Sequence, residues 1–141
     1  MTDLSLEVVR DMPFPRERVF DAWLNADMLA KFMVPAEGMT VPEAWSDSKV
    51  GGRFKIVMQA PDGTDIPHAG EYKVIDRAEQ IEFTWESPYS VDDSTVTIDF
   101  EIIEKGTRVR LRHVRFPSEE ARDNHQNGWT LILAKAEEVL A

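Results

Sequence analysis

The last 24 residues, Ser118 to Ala141, constrain the fold of this chain more than any other stretch. They read SEEARDNHQNGWTLILAKAEEVLA and contain no proline. Ala121, His125, Trp129, Ile132, Ala136 and Leu140 recur three or four apart, which places them on one face of a helix. Pro117-Ser118 supplies a turn and an N-cap hydroxyl, and Glu119 and Glu120 put negative charge where the helix dipole favours it. At about 1.5 Å per residue the helix would run roughly 35 Å, the width of a small domain. A helix of that length with a single apolar face needs a sheet to lie on. Gly128 stands out, because glycine inside a helix costs ~1 kcal/mol against alanine. Next to Trp129 on the buried side, it points to another element approaching the backbone closely.

The preceding residues supply that sheet. Leu4, Leu6 and Val8 alternate with Ser5 and Glu7, as in a half-buried strand, and Pro13-Phe14-Pro15 ends it. Pro15 suits the first turn of a helix, along which Val19, Phe20 and Trp23 recur to about Leu24. Asn25 caps a second short helix, Asp27 to Phe32, with Met28, Leu29 and Phe32 turned inward. From Met39 to Phe116 the period changes to two, with turn signals every ten or so residues, the pattern of an antiparallel meander. Met39, Val41 and Trp45 form the first inward row, on an edge strand because of Pro42. Phe54, Ile56 and Met58 form the next, bounded by the turns Lys49-Val50-Gly51-Gly52 and Pro61-Asp62-Gly63. Tyr72 and Val74, then Ile81, Phe83 and Trp85, then Val96, Ile98, Phe100 and Ile102 follow. Lys105-Gly106 leads into Val109, Leu111 and His113. The expected architecture is one α+β domain over residues 1–141. A curved antiparallel sheet of six or seven strands wraps the long C-terminal helix, and two short helices follow the first strand.

Composition narrows the function. The 26 acidic and 16 basic residues leave a net charge of −10, which excludes a sequence-independent grip on nucleic acid. The absence of cysteine excludes disulfides, thiolate metal sites and a cysteine nucleophile. The start, with Asp3 and no apolar run, is unlike a signal peptide, and no stretch reaches the ~18 apolar residues that would span a bilayer. The expectation is a soluble cytoplasmic protein without membrane insertion.

The order of motifs resembles a known family over nearly the whole chain. The residues that carry it are Pro15-x-x-x-Val19-Phe20-x-Ala22-Trp23, Asp47-x-Lys49-x-Gly51-Gly52-x-Phe54, Pro61-Asp62-Gly63 with Gly70-x-Tyr72, and Phe83-Thr84-Trp85. Gly106-Thr107, Phe116-Pro117 and His125-x-x-Gly128-Trp129 complete the set. Together they are similar to the family homologous to the C-terminal domain of the activator of the Hsp90 ATPase, within the START/Bet v 1-like (SRPBCC) superfamily. The resemblance implies a helix-grip fold, and it leaves function open among lipid carriers, polyketide cyclases and protein-binding modules. One segment departs from the pattern. Lys31-Phe32-Met33-Val34-Pro35 stands near the expected cavity mouth, where relatives commonly have a Trp-rich run ending in Gly-Pro, so no relative's ligand is carried over.

Three groups of side chains bear on function. His113 and His125 fall on predicted inward faces, and His68 precedes Gly70 and Tyr72. They read either as hydrogen-bonded core histidines or as polar anchors of an apolar pocket. A zinc site would need ligands converging from three separate elements. Trp23, Trp45, Phe54, Phe83, Trp85, Phe100 and Trp129 occupy inward positions and read as core or as a pocket lining, with Met33, Met39 and Met58 adding an adaptable wall. The candidate ligand-binding set is Trp23, Met33, Trp45, Phe54, Met58, His68, Tyr72, Phe83, Trp85, Phe100, His113, His125, Trp129 and Ile132. Arg108, Arg110 and Arg112 share an outward strand face, with Arg115 beyond. They are expected either to pair with Asp99, Glu101, Glu82 and Glu86 or to dock an acidic partner.

No nucleophile triad, phosphate loop or carboxylate pair is visible, so neither catalytic residues nor a cofactor or metal is assigned. The leading expectation is binding of a small hydrophobic molecule (a lipid, isoprenoid or polyketide-like compound). The alternatives are an Hsp90-type interaction module and a cyclase or hydrolase using His113 or His125. Against the interaction-module alternative, a single domain is expected here, without the additional N-terminal domain expected of a complete co-chaperone.

Overall fold

The computed structural model describes residues 4–141; the three residues before Leu4, with the acidic Asp3, lie outside the described residues. Strand β1 (Ser5–Met12) is followed by helices α1 (Arg16–Ala22) and α2 (Ala26–Phe32). Six strands come next: β2 (Thr40–Ser46), β3 (Arg53–Gln59), β4 (Asp65–Asp76), β5 (Gln80–Thr84), β6 (Thr95–Ile103) and β7 (Gly106–Val114). Helix α3 (Glu119–Leu140) ends the chain. The strands form one antiparallel sheet in the order β1-β7-β6-β5-β4-β3-β2, so β1 crosses over the ladder to pair with β7. This is the helix-grip architecture expected from the sequence.

Local signals set the helix boundaries. Asn25 accepts the Met28 amide at 3.1 Å, and Ser118 accepts the Ala121 amide at 3.1 Å, each satisfying an end-of-helix donor. At 22 residues α3 spans about 33 Å. It buries Gly128, Trp129, Ile132, Leu133, Ala136 and Leu140 on the sheet, while Ala121 and His125 stay half-buried nearer its start. Arg10 of β1 donates to Glu137 at 2.9 Å, and Arg18 of α1 caps the Leu140 carbonyl, pinning the far end.

Inward side chains run across the sheet in transverse rows. Tyr72, Phe83, Val96, His113 and Leu6 are successive cross-strand partners and all are buried. Phe54 packs on Phe83 edge-to-face with centroids 5.2 Å apart, and Phe20 meets Phe100 at 5.2 Å in the same way. Gly70 lets these rings close up. A Cβ there would lie 2.0 Å from the Thr84 carbonyl oxygen and 2.6 Å from Phe54 Cε1.

Edge strand β2 departs from the expected alternation. Thr40 pairs with Gln59 but Glu43 pairs with Val57, so three steps on β2 match two on β3. This bulge reverses the side-chain phase beyond it. Trp45 consequently lies opposite the outward Lys55 and is 47% exposed, whereas Ala44 lies opposite buried Ile56. Trp45 is therefore not an inward residue. At the same edge, Tyr72 Oη bonds Ser46 Oγ at 2.7 Å, Ser46 bonds Ser48 at 2.7 Å, and Ser48 donates to the Leu24 carbonyl at 2.6 Å. This chain ties β2 and β4 to the end of α1.

The arginine stripe is compensated on both sides. Arg108 donates two bonds to Asp11, Arg110 one to Glu7 at 3.2 Å, and Arg112 lies 3.6 Å from Asp99. Glu7 and Asp11 come from β1, a source of counter-charge that the local sequence pattern does not reveal. Glu82 accepts from Thr97 and Glu86 pairs with Arg53.

Candidate functional site

A pocket of about 140 Å³ opens between α3 and the concave face of the sheet. Helix α3 contributes Asn124, His125, Gly128, Trp129 and Ile132 to its wall. The sheet side contributes Met58 from β3, His68 from β4 and Trp85 just beyond β5. Pro35, from the loop after α2, closes the remaining side by lying on Gly128; a Cβ on that glycine would come within 3.1 Å of Pro35 Cβ. This is the close approach that the mid-helix glycine pointed to, and it comes from the segment that departs from the family pattern.

Of the candidate residues, Met58, His68, Trp85, His125, Trp129 and Ile132 meet at this pocket. Trp23, Met33, Phe54, Tyr72 and Phe83 converge elsewhere, around a void of only about 10 Å³, and form closed core. Phe100 packs against Phe20, His113 lies fully buried among the rings of Trp85, Phe116 and Trp129, and Trp45 faces outward. Pro35, Asn124 and Ser94 were not singled out from sequence. Helical spacing held the signal for Asn124, which shares a stripe with Gly128 and Ile132 at intervals of four. Ser94 extends the inward alternation of Val96 and Ile98 by one step. Pro35 ends the segment that the family resemblance places near the cavity mouth, but its contact with Gly128 was not foreseen.

Beneath the pocket floor three buried groups form a hydrogen-bonded line. Trp129 Nε1 donates to His113 Nδ1 at 3.0 Å, and His113 Nε2 lies 2.7 Å from Ser94 Oγ. An indole nitrogen only donates, so Nδ1 must be the bare nitrogen and Nε2 carries the proton, which points at Ser94. Burial, aided by the charge of nearby His125, pushes the His113 imidazole down to about 3. The pair superficially resembles a serine–histidine hydrolase, but its polarity is the reverse. A general base needs a bare nitrogen facing the hydroxyl, and here that nitrogen already presents N–H. The line orients Trp129, and it does not activate Ser94.

His68 and Trp85 stack with centroids 4.9 Å apart and planes 37° from parallel. Burial pushes His68 down to about 4, so this ring too is neutral at physiological pH. Among the described residues, His68 Nδ1 and Trp85 Nε1 have no hydrogen-bond partner. His125 differs, since its Nδ1 donates to the Ala121 carbonyl at 2.7 Å, which fixes its ring at the pocket rim. No group of three His, Asp or Glu side chains converges to hold a metal among the described residues. No helix among them is long and apolar enough to cross a membrane.

Comparison with known proteins places this geometry. No curated protein matches the chain. Among solved structures, a protein from Chromobacterium violaceum aligns with TM-score 0.88 at 24% identity, covering 96% of each chain. One from Nitrosomonas europaea gives 0.83 at 23%, covering 97% of this chain and 94% of the other. An AHSA1-like protein from Aeromonas hydrophila gives 0.83 at 22%, covering 96% and 90%. At such identities the likeness is one of fold. The family described as activator of Hsp90 ATPase homolog 1-like protein matches residues 13–141. With its motifs, its helix-grip sheet and this match all agreeing, the chain belongs to the activator of Hsp90 ATPase homolog 1-like family.

Proposed function

We propose that this protein binds a small hydrophobic or aromatic molecule in the pocket between the curved sheet and α3, without chemical turnover. The observation that carries this reading is the pocket itself, walled by Met58, Trp85, Trp129 and Ile132, whereas the neighbouring rings of Phe54, Tyr72 and Phe83 close on a void of only about 10 Å³. Such a partly open apolar cleft, with a few polar groups on its wall, is the usual setting of a small-molecule site. Its volume of about 140 Å³ matches cavities that accept a single benzene-sized ring. That favours one ring over a fatty acyl chain, an isoprenoid or a fused polyketide. The reversed polarity of the Ser94–His113 pair speaks against a hydrolase built on it. Native mass spectrometry against a panel of monocyclic aromatics, fatty acids and isoprenoids tests the reading. A bound monocyclic mass with amide shifts at Met58, His125 and Gly128 is expected. Saturation with the whole panel and no bound mass or shifted resonance would refute it.

A second reading, an interaction module that acts on a chaperone ATPase, rests on the family's description. The outward arginines offer it little, because Asp11, Glu7 and Asp99 already neutralise them. A change in Hsp90 ATPase rate at tens of micromolar protein would support it, and none would remove it.

A further inference from the structure

The pocket contains a polar feature that a purely apolar ligand would leave unused. His68 and Trp85, only 7% and 3% exposed, each hold a ring nitrogen without a partner, and the two rings are in contact. Buried polar groups are nearly always paired, so two such atoms on adjoining pocket walls call for an explanation. Trp85 Nε1 is a donor only, and the bare nitrogen of a neutral imidazole is an acceptor. Burial keeps His68 neutral well below physiological pH, against the opposing pull of the Ile66 and Ile56 backbone beside its ring, so one of its two nitrogens is bare and able to accept. Among the described residues no Lys, Arg, Asp or Glu lines the pocket, so apart from the His125 imidazole at its rim an ion inside would find no counter-charge. Trp85 and Trp129, with centroids 5.0 Å apart, give it aromatic surface on two sides.

Building on the reading of this pocket as a binding site, we propose that its ligand is an uncharged single-ring aromatic carrying a hydroxyl, seated against the His68–Trp85 pair. A hydroxyl completes both nitrogens with one atom: its oxygen accepts from Trp85 Nε1–H while its proton goes to His68 Nδ1. Both nitrogens are screened from solvent, so the oxygen enters by parting the two rings, and the rest of the ligand lies between Met58 and Trp129.

The test compares toluene, para-cresol and para-toluate by isothermal titration at about pH 7.5, where cresol is neutral and toluate charged. A dry apolar cavity prefers toluene, because the cresol hydroxyl gives up its water without return. Here cresol should bind about tenfold more tightly than toluene, with toluate weakest. The Trp85 indole N–H resonance should move downfield with cresol alone. Trp85→Phe should bring the ratio of cresol to toluene affinity close to one, and that ratio is the readout whatever the change does to either affinity alone. Toluene binding as tightly as cresol, or toluate as tightly as cresol, would overturn the hydroxyl assignment and leave the pocket standing. Binding of none of the three would bring down the pocket reading as well. The comparison on the unaltered protein stands even where Trp85→Phe does not fold.

Discussion

Acid should unfold this protein through its two neutral, buried histidines, and the effect follows from the geometry. His113 is held at about 3 and His68 at about 4 in the folded chain, against about 6.5 when unfolded. Protonating His113 would set its new Nδ1–H against the Trp129 N–H, with no acceptor between them. Between those values the unfolded chain binds the extra protons, so stability is complete above about pH 6.5 and falls as pH drops toward 4. For each histidine the loss between about pH 7.5 and 5 is about 2 kcal/mol, or about 4 kcal/mol for both. That is a large share of the ~5–15 kcal/mol that holds a domain folded. Asp11 and Asp62 have pKa values lowered below the ordinary carboxylate value, by Arg108 and by the Thr64 amide respectively, so their contributions fade only below this window. Urea unfolding followed by tryptophan fluorescence should give a slope of about 2.4 kcal/mol per pH unit between about pH 6 and 5. His68→Phe, which keeps a flat ring against Trp85, should halve that slope. A stability that stays level from pH 7.5 to 5, or a slope untouched by His68→Phe, would refute the reasoning.

Gly70→Ala should cost about 3 kcal/mol or more, because its Cβ meets the fixed Thr84 carbonyl at 2.0 Å. Gly63→Ala, with open space but φ of +91°, should cost only about 1 kcal/mol when both variants are compared by urea unfolding. Gly128→Ala sets up to ~1 kcal/mol of helix propensity against ~1–3 kcal/mol of crowding on Pro35, so a net loss is expected. Gly128→Leu should fill the pocket and abolish ligand binding, and an alanine variant clearly more stable than the parent would contradict the packing role. Trp129→Phe should cost about 2–3 kcal/mol by stranding His113 Nδ1, and nitrogen-15 spectra should then show His113 losing its single tautomer.

What was legible in the sequence was whatever repeats within a few residues. The period-two rows Val96-Ile98-Phe100 and Val109-Leu111-His113, the helical stripe through Trp129 and the caps Asn25 and Ser118 are short-range patterns that survived folding, although Ile102, the expected last member of the first row, is exposed near the end of β6. They sufficed for the helix-grip architecture because the sheet and α3 each have one face to bury. Gly128 was legible as an anomaly, though not as a seat for Pro35. Trp45 shows the limit of alternation, since a bulge exists only relative to a partner strand and nothing in residues 39–45 announces where β3 will pair. Glu7 and Asp11 found Arg110 and Arg108 about 100 residues away, through a β1–β7 pairing that no local pattern encodes. The Trp129–His113–Ser94 line likewise joins three elements, and the direction of its hydrogen bonds follows from which atom happens to face which. The pocket was the least legible of all. Its volume is a small residue left between large interlocking rings, and every buried side chain contributes to that difference at once, so only the packed structure decides it.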